Sequence, residues 1–274
     1  MSPIESEEEL TRKQRREQAR TERRALEESE AAGAARRKRL QLLGGVAVAV
    51  VAVIVLVLVL AGGSGSSNGK INKHEENNVS KEVTALVGGI PQSGNTLGKS
   101  TAPVTLVYYG DLECPICKEF TLGALPSIIN RYVRSGKVKI EYRNFETATR
   151  EPETFRKQQI AALAAGKQAK MWNYLETFYH EQGEEDSGYV TESYLDGLAK
   201  QVPGLSLAAW QTARGESALA SQVLEDTQSA NAQGFTGTPS FLIGHTGGAQ
   251  KKLEYQSLTE PTQFDEAIEK QLKS

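Results

Sequence analysis

Val104-Thr-Leu-Val-Tyr-Tyr-Gly-Asp-Leu-Glu-Cys-Pro-Ile-Cys117 decides how this chain folds. Val104 to Tyr109 is an unbroken β-favouring run, as expected of a strand covered on both faces. Gly110 ends it, and the stretch from Cys114 reads as a helix reaching about Val133. Pro115 suits the first turn of that helix, where its missing N–H has no partner to lose. Downstream, Val138, Ile140 and Tyr142 alternate with Lys139, Glu141 and Arg143, which reads as a second strand. Strand, helix, strand makes a βαβ unit and an α/β fold class.

Further out the pattern turns helical. Met171, Trp172, Leu175, Phe178 and Tyr179 share one helical face, and so do Leu195, Leu198, Ala199 and Val202 behind a cap at Thr191. Ser206 caps a short helix through Trp210, and a helix over about 216–233 stops at Gly234. These aromatic stripes read as core packing rather than a cofactor pocket. Ser240 to Gly244 returns as a short apolar strand and pairs with 251–255 across Gly247-Gly248. Phe264, Ala267, Ile268 and Leu272 give the last helix its apolar face.

The chain has 274 residues, 24% of them charged and 39% hydrophobic, with a net charge of −2. Those values exclude wholesale disorder. The charge balance argues against a nucleic-acid partner, which needs a dominant basic surface. The averages conceal unequal zones. Residues 1–40 carry eleven basic and nine acidic side chains and little that is apolar. Such a segment cannot fold alone and reads as disordered; a lipid- or RNA-binding tail is the rival, weakened because the acids cancel most of the field. Residues 41–61 contain an uncharged run from Leu42 to Ala61. At about 1.5 Å per residue it matches a hydrocarbon core of roughly 30 Å and reads as a transmembrane helix. A cleaved signal peptide is the alternative, but its lead should be short and its apolar region about 7–15 residues. Arg36-Arg37-Lys38-Arg39 abuts the run, so the positive-inside rule places the N-terminus in the cytoplasm and the rest outside it. Residues 62–87 open on Gly62-Gly63-Ser64-Gly65 and read as a flexible linker, and 88–274 is one domain.

The chain has 2 cysteines, Cys114 and Cys117, at i and i+3. As a staple the pair is weak, since so short a loop stabilises by only roughly 2 kcal/mol. As half a metal site it has no companions: His74, His180 and His245 are scattered, so no metal and no cofactor are expected. A redox pair explains the spacing better. Cys114 at a helix N-terminus meets unpaired N–H groups and a dipole that favour an anion, while Cys117, one turn in, is shielded. Cys114 is then the sulfur that exchanges and Cys117 the one that resolves.

These residues resemble the DsbA-like thioredoxin family of bacterial thiol-disulfide oxidoreductases. The likeness rests on Ala102 to Cys117, on the lead-in Gly89 to Gly98, and on Gly237-Thr-Pro-Ser-Phe-Leu-Ile243, and it covers roughly 88–274. It implies a thioredoxin fold with a helical domain inserted at about 150–232. It also implies that Cys114 and Cys117 are catalytic, with Pro115, Ile116 and Pro239 tuning the site. Pro239 matches the family's cis-proline, and Thr238 the residue whose backbone pairs with a bound substrate strand. The implied activity is disulfide exchange with exported cysteine-containing proteins, most favourably as an oxidant served by a reoxidising membrane partner. A thiol reductase or isomerase, or a tethered binding module with a structural disulfide, stands as the alternative. Two positions depart from the pattern. Ile116 replaces a common His or aromatic residue, implying a less acidic Cys114 and a weaker oxidant than a His-bearing relative. Tyr108 stands where many relatives have a buried Glu, leaving Asp111, Glu113 or solvent to handle protons.

Overall fold

The computed structural model describes residues 73–274. The charged segment over 1–40, the apolar run over 41–61 and the first part of the linker lie outside the described residues. Among the described residues no helix is long and apolar enough to cross a membrane.

The chain enters on α1 (Lys73–Val87) and a small hairpin, β1 (Gln92–Ser93) and β2 (Thr96–Leu97). β3 (Val104–Gly110) leads into α2 (Pro115–Leu122), α3 (Leu125–Ile128) and a π-helical turn over Ile129–Val133, followed by β4 (Val138–Asn144). Five helices come next: α4 (Pro152–Gly166), α5 (Met171–His180), α6 (Glu192–Gln201), α7 (Leu207–Arg214) and α8 (Ser217–Ala232). β5 (Ser240–His245), β6 (Gln250–Lys252) and α9 (Thr262–Leu272) complete the chain. The sheet order is β1-β2-β4-β3-β5-β6. β3 runs parallel to β4, as the βαβ reading requires, and antiparallel to β5. All seven residues of β3 are buried, as expected for a central strand, whereas β4 alternates buried and half-buried positions. This is a thioredoxin-like α/β fold with a helical insertion between β4 and β5.

The structure departs from the sequence reading in four places, the first being that the strand expected over 251–255 is β6 at Gln250–Lys252. The linker expected over 62–87 gives way to helix at Lys73, and α1 buries Val83 and Val87 in the main core. Here the packed apolar residues override a polar composition. The helix expected to reach Val133 breaks at Gly123. Pro126 has no N–H to continue the ladder and its ring crowds the preceding turn. A Cβ at Gly123 would sit 2.6 Å from the Glu119 carbonyl oxygen and 2.9 Å from that of Leu258. A β1–β2 hairpin turns through Gly94-Asn95, where the sequence reading has no strand, although a Gly-Asn pair is a hairpin signal. The insertion agrees well. Thr191 and Ser206 accept from the Tyr194 and Ala209 amides as caps, and Gly234 adopts φ +68 beyond α8.

The aromatic stripes are core. Their polar ends are satisfied: Trp172 Nε1 donates to the Asn95 carbonyl at 3.1 Å, Trp210 Nε1 to Ala161 at 2.8 Å, and the Tyr174 hydroxyl to Leu195 at 3.2 Å. Glu176 on α5 differs. It is fully buried, neither carboxyl oxygen has a hydrogen-bond partner, and burial pushes its carboxyl up to about 8. A raised carboxyl favours the fold most when neutral. Its contribution is complete below the ordinary value of 4.5 and is lost as pH rises through about 8. Urea denaturation of the wild-type chain should therefore lose roughly 3–5 kcal/mol of stability across that window. Glu176→Met should flatten the profile; an unchanged slope in the variant would assign the pH dependence elsewhere.

Candidate active site

The site forms where β3 ends and α2 begins. Asp111 starts the turn, its carbonyl accepting from the Cys114 amide at 3.1 Å. Cys114 sits at the N-cap of α2 in extended geometry, with Pro115 in the first turn. Its sulfur accepts from the Cys117 backbone N–H at 3.4 Å. The polypeptide thus points an otherwise unpaired first-turn donor at this sulfur. Both cysteines are free thiols; Cys114 keeps 4% of its surface exposed and Cys117 none. Ile116, between them, is 45% exposed, so the rim beside the dithiol is apolar.

The two sulfurs are driven apart in acidity. Cys114 is lowered to about 7, chiefly by a hydrogen bond from the Cys117 side chain, opposed by burial and assisted by the Thr238 side chain and the Cys117 and Ile116 amides. Burial, then the hydrogen bond to Cys114, pushes Cys117 well up. At pH 7 a drop from 9.0 to about 7 raises the thiolate fraction of Cys114 from about 1% to about half.

The remaining sequence-predicted residues converge here. The Thr238–Pro239 peptide bond is cis. The Thr238 carbonyl lies 3.4 Å from the Cys114 sulfur, and among the described residues nothing pairs with the Thr238 amide. The Tyr255 hydroxyl donates to the Pro239 carbonyl at 2.9 Å and braces the loop. Beside it runs a groove of about 430 Å³ lined by Phe235, Gly237, Thr238, Pro239, Lys252 and Tyr255 among others.

Beneath Cys117 the Tyr108 hydroxyl lies 3.4 Å from the Cys117 carbonyl and 3.2 Å from the Tyr179 hydroxyl, which donates to the Asp111 carbonyl at 3.2 Å. Burial, reinforced by Cys117, pushes the Tyr108 phenol up, so a neutral hydroxyl occupies this position. Asp111 is fully occupied. Its carboxylate takes the amides of Glu113, Thr147, Ala148 and Thr149 at 2.9–3.2 Å, the Thr149 hydroxyl at 2.6 Å and Gln158 Nε2 at 3.4 Å. It anchors the loop after β4 rather than standing free beside the thiols. Glu113 is also buried, and that burial raises its carboxyl.

Sequence reasoning missed Thr147, Gln182 and Tyr255. Gln182 Nε2 donates to the Leu112 and Cys114 carbonyls at 2.6 and 3.1 Å, and the Thr147 hydroxyl meets that of Thr238 at 2.6 Å. These contacts span 68 and 91 residues along the chain, so no local spacing announces them. Among the described residues no cluster of His, Cys, Asp and Glu could hold a metal ion.

A strand-to-helix dithiol facing a cis-proline loop on this sheet defines a thioredoxin-fold redox site. Residues 92–270 match the thioredoxin family model, and the chain belongs to that family. It is 27% identical over 207 residues to disulfide bond formation protein D of Bacillus subtilis (strain 168), covering 74% of this chain and 86% of that protein. The crystal structure of oxidised BdbD from Bacillus subtilis, 26% identical, superposes with a TM-score of 0.57 over 69% of this chain and 99% of that one. Wolbachia pipientis alpha-DsbA1, 20% identical with a TM-score of 0.55 over 65% of this chain and 90% of that one, shares the fold. The dithiol and these relatives together make the chain a protein-disulfide oxidoreductase.

The acidity split predicts a pH profile. Alkylation of Cys114 in the reduced chain should rise with pH to a midpoint near 7, because the thiolate is the reactive form. Cys117 should stay unmodified through neutral pH. Peptide mapping after timed iodoacetamide treatment checks this; equal labelling of the two cysteines, or a Cys114 midpoint near 9, would contradict it.

Proposed function

We propose that this protein is a membrane-anchored oxidant of exported cysteine-containing proteins, with Cys114 as the exchanging sulfur and Cys117 as the resolving one. The observation that carries the reading is the Cys114 sulfur, seated on a first-turn amide and lowered to about 7 beside a shielded, raised Cys117. The groove beside Thr238 and Pro239 supports substrate binding there. An extended chain laid along it could donate to the Thr238 carbonyl and accept from its free amide, the way a strand is added at a sheet edge.

In the oxidising direction a substrate thiolate attacks Cys114 Sγ of the Cys114–Cys117 disulfide. A substrate–Cys114 bond forms, the Cys114–Cys117 bond breaks, and Cys117 leaves with the electron pair and takes up a proton. Because burial disfavours its anion, Cys117 is driven toward the thiol. A second substrate thiolate then attacks the substrate sulfur of the mixed disulfide, and Cys114 departs as the thiolate that the start of α2 stabilises. The substrate loses two electrons and the dithiol gains them. A reoxidising partner in the membrane, itself a disulfide or quinone-linked oxidant, takes them away.

The run over 41–61 supports a single-pass anchor, and Arg36 to Arg39 supports a cytoplasmic N-terminus with the redox domain outside. An oxidising compartment suits a dithiol whose reduced form is favoured.

Two variants test the chemistry. Cys117→Ser should accumulate mixed disulfides with exported proteins through Cys114, resolved on non-reducing gels and released by dithiothreitol. Cys114→Ser should abolish insulin reduction by the full chain. Activity persisting in Cys114→Ser, or no adducts in Cys117→Ser, would favour a tethered binding module instead.

A further inference from the structure

We propose that Lys252 determines specificity in the groove beside the dithiol: its ammonium, held over the face of Phe235, selects exported chains that carry an acidic side chain near the reacting cysteine. The inference rests on the reading of that groove as the place where substrate binds, and it names the class of substrate the groove favours.

The platform is built where α8 ends. Gly234 turns the chain at φ +68, and the Phe235 amide donates to the Ala230 carbonyl at 3.1 Å, which fixes the point where the ring leaves the backbone. Tyr109 of β3 packs against that ring, with centroids 5.4 Å apart. β6 lies beside β5 with Lys252 in register with Leu242. Lys252 is exposed, and its Nζ stands 5.0 Å from the centroid of the Phe235 ring. Both side chains line the groove that Thr238 and Pro239 border. The groove's other charged side chain is Glu254, and among the described residues Lys252 forms an ion pair with neither it nor any other acid.

A ring face attracts a cation but carries no net charge, so it orders an ammonium without cancelling it. An ammonium has three N–H donors, and the ring meets one side of it, so donors remain for a carboxylate. A lysine already ordered in this way loses less rotamer freedom on pairing than one free in water. Phe235, itself fixed, does the ordering here. Placement follows from the backbone. Phe235 precedes Thr238 by three positions. An extended chain advances about 3.3 Å per residue, so a strand paired at Thr238 carries the side chain about three residues away past the Phe235 ring to the ammonium. An aspartate or glutamate there gains a partner, whereas a lysine or arginine there meets a like charge.

The test uses the oxidised full chain and reduced two-cysteine peptides that differ only about two to four places outside each cysteine, where they carry glutamate or glutamine. Each turnover moves two electrons from the peptide dithiol to the Cys114–Cys117 disulfide and leaves a peptide disulfide, read by acid quench and mass spectrometry. The readout is the glutamate-to-glutamine rate ratio for each protein. The peptides' own thiol acidity, and any change in a variant's overall activity, cancel when these ratios are compared. The wild-type ratio should exceed that of Lys252→Gln by about threefold, the scale of one exposed ion pair, and high salt should shrink the difference. Lys252→Arg should keep the wild-type ratio. Equal ratios in wild type and Lys252→Gln, or a Lys252→Arg ratio as low as that of glutamine, would overturn the inference. Failure of the wild-type chain to oxidise either peptide would instead remove the reading of the site on which the inference stands.

Discussion

One contact organises this molecule: the backbone N–H of Cys117 directed at the sulfur of Cys114 at 3.4 Å. It exists because a fully buried strand, β3, delivers the chain into α2 with Pro115 in the first turn and Cys114 at the cap. That geometry gives two chemically identical thiols opposite tendencies. One is stabilised as an anion, chiefly by the Cys117 thiol and further by the amides at the helix start, and the other is pushed toward its protonated form by the core around it. Disulfide exchange needs that asymmetry, since the two sulfurs must take different turns.

The rest of the fold holds partners against that contact. The antiparallel pairing of β5 with β3 sets Ser240 opposite Tyr109 and so carries the Thr238–Pro239 loop up to the Cys114 sulfur. The inserted helices act from the other side. α5 supplies Tyr179 to the hydroxyl cluster under Cys117, and Gln182, just beyond it, grips the Leu112 and Cys114 carbonyls. Asp111 ties the insertion's entry loop to the same turn. The insertion thus does more than cover the sheet; it immobilises the backbone that presents the Cys114 sulfur.

Much of this was legible in the chain. The covered strand, the i, i+3 cysteines, the parallel second strand and the caps at Thr191 and Ser206 all follow from local periodicity and capping chemistry, and the structure has them. The convergence of Thr238 and Pro239 on the cysteines was reached through family resemblance, because no spacing rule joins positions some 120 residues apart. What escaped was of two kinds. The break at Gly123 and Pro126 is a local signal that a longer helical pattern masks, and the turn at Gly94-Asn95 joins strands of two residues, too short to show a periodicity. Thr147, Gln182, Tyr255 and the anchoring role of Asp111 were invisible for a physical reason: each depends on a tertiary contact between polar side chains or carbonyls that carry no periodicity. A charged residue beside a cysteine reads as acid–base chemistry in one dimension, and only the converging amides of Thr147 to Thr149 turn Asp111 into a structural anchor.

The central claim is that the fold favours the reduced dithiol by holding one of its sulfurs as an anion. The equilibrium potential of the Cys114–Cys117 couple, measured in glutathione buffers at pH 7, addresses it most directly. A Cys114 lowered to about 7, the acidity of thioredoxin's own exchanging cysteine, predicts a couple no more reducing than the about −270 mV of thioredoxin and well short of the about −120 mV of DsbA. A potential well below about −270 mV would contradict the account, because the reduced dithiol would then be less favoured than in a couple whose exchanging thiol has the same acidity.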